Sequence, residues 1–482
     1  MAALSALEPK AVFEYFEKLC SVPHGSGNTK IISDLCVGFA KEMGLRYRQD
    51  AANNVIIRKD ATPGYENADP VILQGHLDMV CAKTEDCKKD MTREGLDVMT
   101  DGQWVWAKDT SLGGDDCIAV AIALAVLADN SLPHPALEAV FTTDEETGMD
   151  GAVALDCSDL RGKMLLNLDS EAEGVFTVSC AGGVRADCTM PGVREALGSE
   201  QCYAVSVSGL LGGHSGAEID KGRGNANILM ARVLFAAMER LGGIRIADYH
   251  GGRFDNVICL RCDAVVAVPG DKCGEFENFI AEYDSILKNE YAAADAGVTL
   301  ACEKAAPVPA WSAAATENLL CTLFALPQGV QEMSMQLSGL VQTSLNMGVA
   351  STDDAGVHFT YSIRSCIATQ KDMLAARLRS IVEHAGGSVT LRSSYPGWQY
   401  AETSRLRDVV AEVYRDQTGR EGKIEATHGG LECGLFIDKM PGLDVVSVGP
   451  ELLDIHSVHE HLNVASTARL YALVCEVLKR LR

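Results

Sequence analysis

At 482 residues, 47% apolar and 22% charged, the chain has the composition of a soluble globular protein too long for one ordinary core, so two domains are expected. Its formal net charge of −24 excludes partners that need clustered Lys and Arg, namely nucleic acids and anionic membrane surfaces. The longest apolar run, Cys117 to Ala128, falls short of the roughly 18 residues of a membrane span.

Met1 to Lys10 lacks the basic segment and apolar run of a secretory signal. The 17 cysteines are odd in number and scattered. The one CxxC, Cys259-Leu260-Arg261-Cys262, has no second pair to complete a zinc site, and on a strand its thiols would face opposite ways. The set reads as reduced, small apolar side chains, which fits a cytoplasmic protein.

Apolar residues recur at helical spacing from Pro9 to Leu45, broken by the loop Pro23-His24-Gly25-Ser26-Gly27-Asn28. Ser26 or Asn28 is placed there to cap the second helix. Val55–Arg58 and Pro70–His76 read as strands, Asp116–Leu127 as a helix, and Leu137–Thr143 and Lys163–Asp169 as strands that end in acids. Such alternation predicts a largely parallel sheet with helices on both faces and a ligand crevice at the carboxyl ends of its strands. From about Val184 the style changes to α+β, with strands at Ala204–Ser208, Ile258–Ala267 and Val357–Ile367 and helices at Asn225–Leu241 and Glu275–Tyr291. The helices Leu406–Thr418 and Ser466–Leu481 and the strand Val445–Val448 return to the first style. The predicted architecture is an α/β catalytic domain, residues 1–184 and 396–482, interrupted by an inserted α+β domain, residues 185–395.

Five places combine a strand end or helix start with a metal-ligating side chain. They are His76 with Asp78, Asp115, Glu145 with Glu146, Asp169, and His456. Imidazole nitrogen with carboxylate oxygen suits zinc and is acceptable to manganese or cobalt. Two neighbouring cations need a shared anion to offset their repulsion, and Asp115 suits that bridge. Singly, each has an ordinary explanation: a turn-capping Asp, a solvated Glu pair, a helix cap. The ordered set is what accident does not supply. His459 and His461 compete with His456 for its role, and Gly222-Arg223-Gly224 lacks the third glycine and preceding strand of a dinucleotide site.

These residues lie in Gln74-Gly75-His76-Leu77-Asp78-Met79-Val80-Cys81 and Glu145-Glu146-Thr147-Gly148-Met149-Asp150-Gly151-Ala152, with further glycine motifs at Cys180-Ala181-Gly182-Gly183, Gly212-Gly213-His214-Ser215-Gly216 and Gly224-Asn225-Ala226-Asn227. On them the chain resembles, nearly end to end, the aminoacyl-histidine (Xaa-His) dipeptidases, within the clan of di-zinc peptidases that includes the aminoacylases and glutamate carboxypeptidases. The resemblance implies two zinc ions per chain, with His76 and Asp169 completing one site, Glu146 and His456 the other, and Asp115 bridging both. It implies Asp78 as the group that orients His76 and Glu145 as general base. One departure stands out: Asp116-Cys117 follows the bridging residue where the family has Asn-Gly, which puts an extra carboxylate beside the metals. The clan's peptide bond after the bridging Asp is cis.

For the inserted domain the resemblance implies that His214 reaches the reacting carbonyl and that Asn256 and Arg364 reach the substrate carboxylate, a guanidinium fork enforcing exopeptidase length. As ordinary residues, His214 shapes a glycine-flanked turn and Arg364 lies on a strand surface. Glu432 fits a contact with the substrate's free amine and equally a helix cap. The expected function is hydrolysis of unblocked dipeptides by a cytoplasmic homodimer joined through the inserted domain. The alternatives are a di-zinc amidohydrolase acting on N-acyl amino acids and a metal-binding assembly protein without catalysis.

Overall fold

Unbroken apolar runs such as Val71–His76 and Met164–Asn167 have no polar face to offer water, so they settle in the middle of a sheet covered on both sides. The computed structural model of the chain describes residues 3–482. It divides the chain into two compact units: one comprises the chain up to Ser179 with Tyr400–Ala426 and Leu431–Arg482, the other Cys180–Gln399 with Thr427–Gly430. The sequence limits of the insertion, 185 and 395, fall five residues after Cys180 and four before Gln399. The short return at Thr427–Gly430 carries no sequence signal. It joins the second unit because the Ala181 amide donates to the carbonyls of Thr427 (3.2 Å) and Gly429 (2.9 Å).

The first unit is built on an eight-stranded sheet in the order Arg46–Gln49, Val55–Lys59, Leu137–Thr142, Val71–His76, Met164–Asn167, Asp444–Ser447, Val175–Cys180, Lys423–Thr427. The four central strands are parallel. Register sets Gln74 beside Asn167 and His76 beside Thr142. The helix Gly114–Ala128 is buried on every side from Cys117 to Leu127, which explains its unbroken apolar sequence. It packs on the helix Lys10–Cys20 and on the strand Val71–His76. That approach needs Gly75: a Cβ there would lie 2.7 Å from the Cβ of Ala119 and 2.5 Å from an Asp116 carboxylate oxygen. A small antiparallel sheet pairs His461–Asn463 with Trp104–Ala107, bringing the end of the chain beside the segment that precedes Asp115.

The second unit is a nine-stranded sheet whose pairings are all antiparallel. Its helices Ala226–Leu241, Cys273–Glu290, Ala313–Ala325 and Ala368–His384 share one apolar core with it. Asn225 starts the first of them by accepting from the Asn227 and Ile228 amides.

Two local expectations are corrected. The helix Lys30–Glu42 has Thr29 at its N-cap and no side-chain cap; the Ser26 hydroxyl is instead committed to Asp78, 2.8 Å away. The strand expected over Ile258–Ala267 begins at Cys262, so Cys259 lies outside it, its thiol toward the Arg261 carbonyl. No two of the 17 cysteines are disulfide-bonded. Among the described residues no helix is long and apolar enough to cross a membrane.

Phe141 lies fully buried in the central sheet, so Phe141→Ala should cost about 3–5 kcal/mol of stability. A denaturant midpoint unchanged from wild type would show that the strand Leu137–Thr142 is not part of the folding core.

Candidate metal centre and substrate cluster

The sheet delivers its chemistry at the carboxyl ends of its parallel strands. His76 closes one strand, Asp169 lies two residues past another, and Glu145 and Glu146 open the single turn Glu145–Gly148 just past a third. Asp115 stands at the start of the long buried helix, and His456 in the turn between Leu452–Leu453 and His461–Asn463. Backbone strain concentrates here: Asp144, Met149, Asp454 and His456 are four of the seven non-glycine residues with positive φ among the described residues. The Asp115–Asp116 peptide bond is cis.

Within the first unit these side chains converge. Asp115 Oδ1 is 3.1 Å from His76 Nε2, and Asp115 Oδ2 is 3.2 Å from His456 Nε2. Asp169 Oδ1 is 3.8 Å from His76 Nε2, and Glu146 Oε1 is 2.9 Å from His456 Nε2. In a tetrahedral zinc site with N and O ligands at 2.0–2.1 Å, neighbouring ligand atoms are about 3.3 Å apart, so these separations suit shared cations. The donor set fits the metals. Glu146 Oε1 is buried and accepts no hydrogen bond despite its nearness to His456, as expected of an oxygen aimed at a metal.

The electrostatics point the same way. Burial depresses His76, yet Asp115, Asp78 and Asp169 carry its pKa well above the ordinary histidine value. His456 is held up at about 10 by Asp115 and then Glu146. The pocket of carboxylates recruits positive charge strongly. Burial, opposed by His76 and reinforced by the charges of Glu146, Asp115 and Asp78, pushes Glu145 up to about 7, the range in which a carboxylate exchanges protons with water near neutrality.

Asp78 serves more partners than expected. His76 Nδ1 lies 3.0 Å from its main-chain carbonyl and 3.4 Å from its carboxylate. That carboxylate accepts from the amides of Glu145 (3.0 Å) and Glu146 (3.4 Å) and from Ser26. One buried group thereby orients a histidine and fixes the turn carrying both glutamates. Asp116, the carboxylate that stands where the family has Asn, is buried beside Asp115. Complete burial, against a lowering by His76, and the neighbouring Asp115 charge push its pKa well above the carboxylate range. Its Oδ2 accepts from the His76 amide at 3.1 Å, a bond that an asparagine carbonyl could accept there.

Beneath the ligands runs a buried polar row. Asn167 Nδ2 donates to Gln74 Oε1 (2.5 Å), Gln74 Nε2 to Glu432 Oε2 (2.6 Å), and Thr142 Oγ1 to the same Glu432 oxygen (2.6 Å). Asn167 and Gln74 each stand two residues before a candidate ligand, Asp169 and His76. Glu432 has no exposed surface, makes no capping bond at its own helix, and leaves its Oε1 without a hydrogen-bond partner. Its carboxyl supports the strands that carry the ligands.

The second unit holds its own polar cluster. His214 Nδ1 accepts from the amides of Gly216 (3.2 Å) and Ala217 (3.1 Å), and burial with the nearby Arg364 lowers its pKa. The neutral ring then carries its proton on Nε2, ready to donate. The Asn256 carbonyl accepts from the Ser215 amide at 2.8 Å, tying the two loops together. Arg364 is not a surface residue. It is buried on the strand Gly356–Ser365, its Nε unpartnered and its Nη1 3.4 Å from both Tyr395 Oη and the His428 carbonyl. A desolvated guanidinium with unfilled donors suits an anion. His428, also buried, joins Ser344 Oγ at 2.7 Å. Tyr395 and His428 were missed because nothing in their local sequence shows the strand that Arg364 brings to them.

Residues 72–480 match the profile of peptidase family M20/M25/M40. The chain is 38% identical over 483 residues to the cytosol non-specific dipeptidase of Escherichia coli K12, spanning 100% of this chain and 99% of that protein. Its fold is similar to the crystal structure of the aminoacylhistidine dipeptidase from Vibrio alginolyticus, with a TM-score of 0.94, 35% identity, and 99% and 98% of the two chains covered. A succinyl-diaminopimelate desuccinylase of Delftia acidovorans is 29% identical over 119 residues, 24% of this chain and 30% of that protein.

Asp78→Ala should lower divalent-metal affinity roughly 10- to 100-fold, read by chelator competition, while leaving the ligands themselves intact. Unchanged affinity would confine Asp78 to a structural part. Burial and the Glu145 charge raise Glu432 from an ordinary 4.5 to about 8. The folded chain therefore retains a proton that the unfolded chain has lost, and stability falls as pH rises between those values. Glu432→Gln should gain stability relative to wild type across that window, and parallel pH–stability curves for the two proteins would exclude a buried neutral Glu432.

Proposed function

The chain belongs to peptidase family M20/M25/M40, and on that footing we propose that it is a metallo-dipeptidase that hydrolyses the peptide bond of unblocked dipeptides, Xaa-His among them and with broad tolerance. The observation that carries the reading is Asp115, each of whose carboxylate oxygens faces a different histidine, as a bridge between two cations requires. We assign His76, Asp169 and Asp115 to one cation and His456, Glu146 and Asp115 to the other. Zinc is the proposed metal, with manganese or cobalt compatible with the same ligands. When bound, such a pair supplies Lewis-acid polarisation of the scissile carbonyl and lowers the pKa of water toward neutrality.

The chain's own residues do the rest. Glu145 takes a proton from the attacking water and returns it to the departing amine. Asp78 keeps His76 and the Glu145–Glu146 turn in place. We assign His214, Asn256 and Arg364 of the second unit to substrate recognition, the imidazole as a donor and the guanidinium as the kind of group that receives a free carboxylate. Dipeptides are favoured over N-acyl amino acids because the dipeptidase relatives match over the whole chain, the desuccinylase over a quarter of it. We further propose a cytoplasmic homodimer joined through the second unit. There Phe324, half exposed, stacks on Phe235 at 4.2 Å and leaves an apolar face uncovered.

Hydrolysis of Ala-His, β-Ala-His, Gly-Leu, a tripeptide and N-acetyl-Leu, with and without chelator, tests the substrate class. Chelator-sensitive cleavage of dipeptides alone is expected; cleavage of N-acetyl-Leu alone would replace this reading with the amidohydrolase. Glu145→Ala should keep two equivalents of metal and lose at least about 100-fold in kcat. Full turnover by that variant would remove Glu145 from the chemistry. Sedimentation should give twice the chain mass, and a monomer would exclude the dimer.

A further inference from the structure

Asp115 bridges only if its backbone is held, and the segment before it is glycine-rich and non-helical. Gly113 has φ +65°, and Asp115 and Asp116 depart from helical geometry although they begin a helix. Loops of this kind lose much conformational entropy on ordering and need an explicit restraint.

That restraint is a single buried carboxylate. Glu460 is 3% exposed. Its Oε2 accepts from the amides of Leu112 (2.7 Å) and Gly113 (3.0 Å), and its Oε1 from those of Gly114 (2.7 Å) and Asp115 (3.3 Å). Four successive N–H groups at the start of the helix Gly114–Ala128 thus converge on one anion, a cradle in which the helix dipole and the amide dipoles add. The fit is close: a Cβ at Gly114 would come within 3.2 Å of Glu460 Oε1 and 2.7 Å of a Leu452 methyl. Glu460 itself is anchored from the other side. It follows the His456 turn by four residues and precedes the strand His461–Asn463, whose Leu462 pairs with Val105.

We propose that Glu460 is the positioning residue of the metal centre, a clamp that locks the Asp115 loop to the His456 turn so that the bridging ligand and one terminal ligand keep their spacing. It touches neither metal nor substrate and acts through Asp115. The inference rests on the assignment of Asp115 and His456 as metal ligands.

The test uses the full-length, metal-loaded enzyme and two variants. Glu460→Gln keeps size and shape but offers an NH2 where two amides need an acceptor; Glu460→Ala removes all four bonds. Metal affinity is read by calorimetric titration of the demetallated protein with Zn2+ and by chelator competition, alongside kcat, KM and the melting temperature of metal-free protein. Glu460→Gln is expected to weaken binding of the bridged metal pair by 10- to 100-fold. kcat should fall and partly recover in excess Zn2+, KM for a dipeptide should hold, and Glu460→Ala should do the same more strongly. Wild-type metal affinity in a folded Glu460→Gln variant would overturn the proposal, as would a drop in metal-free melting temperature with no change in affinity, which marks a merely structural bond. A wild-type chain that binds no divalent cation would instead overturn the two-metal reading, and the clamp with it.

Discussion

Like charges crowd the ends of the parallel strands, and the structure depends on how that crowding is resolved. Asp115, Glu145, Glu146 and Asp169 stand together in a desolvated place where isolated carboxylates would repel one another and reclaim protons. Only positive charge makes the arrangement tolerable. Asp115 is the pivot: burial works against its charge, but the imidazoles of His456 and His76 on its two oxygens hold its pKa below the usual range. A centre of this kind is an electrostatic demand built into the fold, and divalent cations are the species that meet it.

Holding such a centre requires rigid surroundings, and they come in layers. The parallel strands set the spacing of His76 and Asp169. Under them the row Asn167, Gln74, Glu432 and Thr142 replaces an apolar layer with hydrogen bonds that fix the rotation of one strand against the next. Gly75 admits the helix that carries Asp115, so that carboxylate lies close to His76 at the strand end. Asp78 and Asp116 spend their oxygens on backbone amides, which converts loose loop ends into fixed platforms. In the second unit burial lowers the pKa of both His214 and Arg364.

Much of this was legible in the sequence, and the reason is local. A strand that runs straight into His76-Leu77-Asp78, or into Glu145-Glu146, writes its element and its chemistry within eight residues, so both could be read together. The helices and strands named from the sequence lie within a few residues of those observed, because burial on both faces demands uninterrupted apolar runs. Others, such as the strand Val341–Thr352 and the helix Ala368–His384, were not named. Other features had no local signature. Ser26 read as a helix cap, and the bonds of Glu432 to Gln74 and Thr142 were not foreseen, because these partners lie 52 or more residues away. The ordinary alternative for Arg364, a surface position on a strand, does not hold, because the strand Gly356–Ser365 buries it.

The sequence by itself determined which residues are chemically able to bind metal, which apolar runs must be buried, and that the chain is interrupted by a segment of different style. Those properties follow from side-chain chemistry and from the periods of helix and strand. Only the tertiary structure decided which oxygen faces which imidazole, that Asp116 is wholly buried, and that Glu460 closes on four amides of a distant loop. These depend on desolvation and on distances of a few tenths of an ångström between residues far apart in the chain. Such quantities come into being when the sheet, the buried helix and the last hairpin pack together.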